Sequence, residues 1–292
     1  MNNFSFFLII IVFNLLIHSA YCQNKRLLPE ILYENSGMIF IGDTIAWVND
    51  SDNPAAVILT DKKGIYLKTL PLPTRNIDWE EISADDHGNL YIGDLGNNRL
   101  NRSEFKIYKL NHQLLLIDSI QFSYPENIAG PKTFDCEAFC LFDGKFYLFT
   151  KGIDPNHPFQ LCIFRIDDEK NNTRPEQLDC TNILKPYVVT GAAISPDKKT
   201  LALLTYRYHW IAGILPDTDS RIYLFNLDDG MENIWNHPVR YYTLPTWFTT
   251  RQFESIGYDS KGAIWIACER TAFLKPQLRK IKLPARLKSF RR

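Results

Sequence analysis

The stretch Glu80-Glu-Ile-Ser-Ala-Asp-Asp-His-Gly-Asn-Leu-Tyr-Ile-Gly93 decides how the whole chain is read. A carboxylate stands two positions before an apolar residue, a polar Asp-Asp-His-Gly-Asn turn follows, and a short apolar strand closes the unit. The pattern recurs four more times. It appears as Ser36-Gly-Met38 leading to Ile45-Ala-Trp-Val, as Glu137-Ala-Phe139 leading through Asp143-Gly to Phe146-Tyr-Leu-Phe, as Ala192-Ala-Ile194 leading to Leu201-Ala-Leu-Leu, and as Glu254-Ser-Ile256 leading through Asp259 to Ile264-Trp-Ile. Short runs rich in aromatic and β-branched residues, separated by Gly, Asp and Asn turns, read as antiparallel strands. No window of the chain sustains a helical period.

The repeats begin at residues 36, 80, 137, 192 and 254, spacings of 44, 57, 55 and 62. A period near 40–50 residues with several strands per unit is the mark of propeller blades, and the excess fits loops such as 167–175 and 228–238. The reading is an all-β, single β-propeller. Five blades are expected, with six as the alternative, and a β-sandwich is the competing architecture. Only about three strands fit after Glu254, so Leu27–Tyr33 is expected to supply the missing outer strand and close the ring against the C-terminal blade, protecting its edges.

Residues 1–22 form an apolar run ending in Ala20-Tyr-Cys22, the pattern of a secretory signal peptide cleaved before Gln23. An uncleaved or lipid-anchored N-terminus is the alternative. Domain 23–292 is then exported, to the periplasm or beyond. With 33 basic and 33 acidic residues the chain is formally neutral, which gives nucleic acid no electrostatic handle. A monomer is expected, and no later stretch suits a membrane helix. Five cysteines follow the leader; Cys162 and Cys180 can pair in an oxidising compartment, and buried thiols are the equal alternative. Even spacing places Cys136 and Cys140 on one strand face. Trp47, Trp79, Trp210 and Trp247 are expected to pack between blades.

The inner strand of each blade lines the central channel, so one repeat position faces the axis five times. It reads Ser36, Glu80, Glu137, Ala192 and Glu254. Three converging carboxylates repel unless protonated or bound to a cation. An all-oxygen ring without histidine points to calcium rather than zinc, and a wide ring suits calcium better than magnesium. Ser36, Glu80, Glu137 and Glu254 are therefore the expected metal ligands. A second tier would rim the channel mouth: Asp50, Asp94 with Asn97, Lys151 and Arg207. In a catalytic reading Asp94 is the general base, and Lys151 and Arg207 steady negative charge on a small anionic or ester-type ligand. No Ser-His-Asp set or Gly-x-Ser-x-Gly turn accompanies them.

The motifs Glu34-Asn-Ser-Gly37, Trp47-Val-Asn-Asp50, Asp78-Trp-Glu-Glu-Ile82, Gly93-Asp-Leu-Gly-Asn-Asn98, Asp135-Cys-Glu-Ala138, Leu203-Leu-Thr-Tyr206 and Gln252-Phe-Glu254 resemble a family of exported bacterial propeller proteins. Trp79-Glu-Glu-Ile with Leu90-Tyr-Ile-Gly-Asp-Leu-Gly is more distantly similar to the calcium-activated nucleotidases, and gluconolactonase- and paraoxonase-like propellers share an axial calcium. The nucleotidase resemblance implies a five-bladed fold with calcium held by Ser36, Glu80, Glu137 and Glu254, with Ala192 as a gap. Two functions follow as expectations: a calcium-containing binding or scaffold protein, or a calcium-dependent hydrolase of an ester, lactone or phosphoanhydride.

Overall fold

The computed structural model describes residues 25–125, 133–167, 173–211, 215–245, 251–271 and 274–292. Residues 1–22, expected to be a signal peptide, and Trp247 lie outside the described residues. Strands β2 (Asn35–Ile41), β3 (Thr44–Asn49), β4 (Ala56–Asp61) and β5 (Tyr66–Pro71) form the first blade as an antiparallel meander. The second holds β6 (Trp79–Ala84), β7 (Leu90–Asp94), β8 (Phe105–Leu110) and β9 (Leu116–Phe122). The third holds β10 (Cys136–Phe142), β11 (Lys145–Thr150), β12 (Leu161–Ile166) and β13 (Glu176–Thr181). The fourth comprises β14 (Val188–Ile194), β15 (Thr200–Ile211), β16 (Leu215–Asn226) and β17 (Val239–Thr243). The fifth comprises β18 (Phe253–Tyr258), β19 (Ile264–Cys268) and β20 (Gln277–Lys280). The fold is an all-β, five-bladed propeller.

Local chemistry sets the hairpins. Between β10 and β11 both Asp143 (φ 48°) and Gly144 (φ 75°) are left-handed, as a two-residue primed turn requires. Elsewhere a side-chain oxygen closes the turn: Asp85 accepts the His87 and Asn89 amides (2.9 and 2.8 Å), and Asp259 accepts those of Lys261 and Ala263 (both 3.0 Å).

Buried apolar residues fall into five clusters, one for each contact between neighbouring blades, with Trp79 between blades one and two and Trp47 between blades five and one. The ring is therefore closed by packing on every side. It is also closed by hydrogen bonds: β1 (Lys25–Leu27) pairs with β20 as the outer strand of the fifth blade. The closing strand sits two residues earlier than expected. Pro29 has no amide to give, and its carbonyl accepts the Leu32 amide (2.9 Å) to start a 3-10 turn over Glu30–Leu32 that carries the chain into β2. The sequence pattern did not show β21 (Lys288–Phe290), a fifth strand on the edge of blade four against β17.

Cys162 and Cys180 face each other across β12 and β13 and are bonded, whereas Cys136, Cys140 and Cys268 are buried thiols. A bulge between Cys136 and Ala138 undoes the even spacing, so Cys136 packs toward blade two and Cys140 toward blade four. Trp210 also departs from expectation: it is 65% exposed. The bond closes an 18-residue loop. Replacing both cysteines with alanine should cost about 3 kcal/mol through the freed unfolded chain. Urea unfolding of that variant, beside wild type with and without reductant, checks this.

Candidate metal centre

Every inner strand breaks its register at the same place. The shifts fall between Asn35/Gly37, Trp79/Glu81, Cys136/Ala138, Val189/Gly191 and Phe253/Ser255. The extra residue in each bulge is Ser36, Glu80, Glu137, Thr190 and Glu254. Bulges re-aim side chains, and here all five lie at one level of the channel. The fourth-blade position is thus Thr190 rather than Ala192. Ala192 pairs with Leu203 as Ile82 pairs with Ile92, so it belongs to the apolar position two residues further on. The gap in the ring was an error of register.

The hydroxyls and the carboxylates at this level do different work. Ser36 Oγ donates to the Trp79 carbonyl (2.7 Å) and Thr190 Oγ1 to the Phe253 carbonyl (3.0 Å), each stitching its inner strand to the next. The acids gather instead. Carboxylate oxygens of Glu80, Asp135 and Glu137 lie within 4.8 Å of one another, as do those of Asp50, Asp78 and Glu80. Of the expected ligands, Glu80 and Glu137 meet in this cluster, and Ser36 and Glu254 stand outside it. Asp78 and Asp135 were not anticipated as ligands. Their signal was present in the Asp-x-Glu spacing shared by Asp78-Trp-Glu80 and Asp135-Cys-Glu137.

The cluster is buried, with Glu80 3%, Asp135 2% and Glu137 4% exposed. Glu80 Oε1 and Asp135 Oδ2 have no hydrogen-bond partner. Gly96 makes the crowding possible: a Cβ there would stand 2.0 Å from Glu80 Oε1 and 2.5 Å from Asp78 Oδ2. Burial first, then the neighbouring carboxylates, raises the pKa of Glu80, Asp135 and Glu269, and lifts Asp78 and Glu254 to about 7. Lys151 Nζ reaches Glu137 Oε1 at 2.6 Å. Burial opposes its charge, yet Glu137 and the surrounding acids raise its pKa. One ammonium cannot neutralise this many acids. The cluster offers only oxygen donors, from three successive blades, and can hold a hard metal ion.

The other predicted site residues are engaged elsewhere. Asp94 Oδ1 accepts Arg102 Nη2 (2.7 Å) and the Asp78 amide (3.2 Å), and its Oδ2 accepts the Ile77 amide (3.4 Å). It is fully buried. The Asn97 amide nitrogen donates to Thr133 Oγ1 and the Phe134 carbonyl (2.9 and 3.2 Å), and its backbone amide to Asp135 Oδ1 (2.6 Å). Asn97 thus orients a cluster carboxylate from behind. Arg207 binds Asp219 on the β15–β16 hairpin at 2.6 Å. Below the cluster, Glu81 is fully buried and crosses the axis, accepting the Ala192 amide of blade four (3.0 Å).

No family model matches the chain, and no curated protein matches it. Similar folds occur among solved structures. A gluconolactonase of Xanthomonas campestris shows 12% identity over 88% of this chain and 89% of its own, with a TM-score of 0.45. A streptogramin B lyase shows 12% identity over 89% and 99%, with a TM-score of 0.44. A DUF4221 family member of Bacteroides vulgatus shows 11% identity over 92% and 97%, with a TM-score of 0.42.

Proposed function

We propose that this chain is an exported propeller that binds one calcium ion at the Glu80–Asp135–Glu137 cluster, with Asp78 and Asp50 completing the oxygen set from the mouth, and that it serves as a binding or scaffold protein. The observation that carries the reading is the pair of buried carboxylate oxygens, Glu80 Oε1 and Asp135 Oδ2, left without partners. An unpaired buried carboxylate is costly, and a cation relieves both at once. Calcium suits a set of carboxylates spread over three blades, since it accepts six to eight oxygens in flexible geometry. Export is supported by the leader-like residues 1–22 and by the Cys162–Cys180 disulfide. No helix among the described residues is long and apolar enough to cross a membrane.

Binding is favoured over hydrolysis because all three groups expected to do chemistry are committed: Asp94 to Arg102, Lys151 to Glu137 and Arg207 to Asp219. The test is thermal unfolding of the full mature chain in excess calcium and in chelator, together with metal analysis of the purified protein. At about a hundredfold excess over Kd, calcium adds ~2.7 kcal/mol and should raise Tm by roughly 5–10 °C in a domain of this size. An unchanged Tm with calcium, magnesium and manganese would sink the metal reading.

A further inference from the structure

One surface feature beside the mouth is left over by the metal site. Strands β15 and β16 are each 12 residues long, about twice the length of the other blade strands, and run past the blade at the end where the acids gather. Tyr206 occupies the fourth-blade counterpart of Asp50, Lys151 and Glu269 in the rim, and beyond it the hairpin overhangs the opening. Side chains alternate along a strand, so Tyr206, Tyr208 and Trp210 share one face. Tyr206 and Tyr208 meet edge to face at 5.2 Å. Tyr208 is 60% exposed and Trp210 65% exposed, two large aromatic side chains presented to solvent side by side.

The other face of the hairpin is occupied. Arg207 and His209 sit over Asp219 and Asp217 there, while on the aromatic face buried Thr218, directly across from Tyr208, donates its hydroxyl to the Arg251 carbonyl (2.7 Å). The hairpin is thereby fixed in place rather than free to fold over its own aromatics. Gln252 Nε2 reaches both the Tyr206 hydroxyl and Glu254 Oε1 at 3.4 Å, and the Lys151 ammonium stands 5.9 Å from the Tyr206 ring, so these rings border the acidic mouth.

Two properties of this corner select a ligand. Its carboxylates disfavour an anion, and the cations on which an anionic ligand would have depended, Lys151 and Arg207, are taken by Glu137 and Asp219. Exposed Tyr and Trp rings beside carboxylates favour a positive charge, through the negative ring faces and direct Coulomb attraction together. We propose that Tyr208 and Trp210, standing outward along the strand from Tyr206 and the Glu254 side of the mouth, form a binding site for a small organic cation bearing a quaternary ammonium group. This adds an outer position to a cation-binding mouth. It does not require the axial metal, because Glu254 lies outside the Glu80–Asp135–Glu137 triad.

The probe is choline, titrated calorimetrically into the full mature chain, in calcium and separately in chelator. The comparison ligand is 3,3-dimethylbutan-1-ol, which has the same shape with carbon in place of the charged nitrogen. Choline should bind saturably and at least about tenfold tighter than the isostere, and Trp210→Ala should weaken it about tenfold. Tyr208→Ala should act similarly. Both side chains are exposed, so Tm should stay at the wild-type value. Equal binding of choline and its isostere, retained binding in Trp210→Ala, or saturation by a neutral disaccharide where choline gives no heat would each overturn the proposal. If choline binds while calcium leaves Tm unmoved, the metal reading alone fails. If calcium raises Tm while choline gives no heat, the ammonium site alone fails.

Discussion

Replacing Glu80 with glutamine is expected to raise the melting temperature of the metal-free protein while removing most of its response to calcium. Opposite signs in the two conditions follow from the cluster. Without metal, Glu80 is a buried acid with an unpartnered oxygen, surrounded by Asp78, Asp135 and Glu137. Glutamine needs no proton taken up on folding and leaves a group of the same shape. With metal, the same change deletes a central ligand, since Glu80 belongs to both sets of close carboxylates. A calcium affinity lower by about a hundredfold, some 2.8 kcal/mol, is the expected scale, read by calorimetry on both proteins. Glu137→Gln is a poorer probe, because Glu137 also holds buried Lys151 and its loss would strand that charge at a cost of about 3–5 kcal/mol. A purely structural role for Glu80 predicts destabilisation in both buffers, and that result would refute the assignment.

The five-fold architecture was legible because each blade repeats the same short grammar of inner strand, Asp- or Gly-bearing turn and apolar second strand. The bulges were not legible. A one-residue insertion leaves no mark in a hydrophobic pattern, yet it shifts every side chain beyond it to the other face. It moved the fourth-blade position from Ala192 to Thr190 and separated Cys136 from Cys140. Glu80 and Glu137 could be found by periodicity, but Asp78 and Asp135 stand one residue before their strands, outside the repeated pattern. Asp94 and Asn97 looked convergent because glycines flank them, but Arg102 and Thr133, distant from one another in sequence, determine where their side chains go. The overhanging aromatics were hidden for another reason. Tyr208-His-Trp210 reads as ordinary strand, and only the length of the hairpin shows that Tyr208 and Trp210 stand exposed beyond the blade.

The metal-free protein should lose stability as pH rises from about 4 to 8, the reverse of what acid denaturation usually gives. Asp78 and Glu254 titrate near 7 in the folded chain, lifted by burial and by neighbouring carboxylates, against ordinary values of 3.8 and 4.5. Between those limits the native state holds more protons than the unfolded state, so stability falls with each step up in pH. Below about pH 4 both states are protonated and the contribution is fully present; above about pH 8 it is gone. For these two groups the loss is on the order of a few kcal/mol. The raised pKa values of Glu80, Asp135 and Glu269 push the same way. Calcium should reverse the trend, because it requires the deprotonated carboxylates and displaces the protons that would otherwise neutralise them. The calcium-dependent rise in Tm should therefore be small at pH 5 and largest at pH 8. Scanning calorimetry across that range, with calcium and with chelator, measures both curves. Parallel curves would mean that the acids carry protons without exchanging them for metal. Curves that diverge toward high pH would show cation and proton competing for the same oxygens.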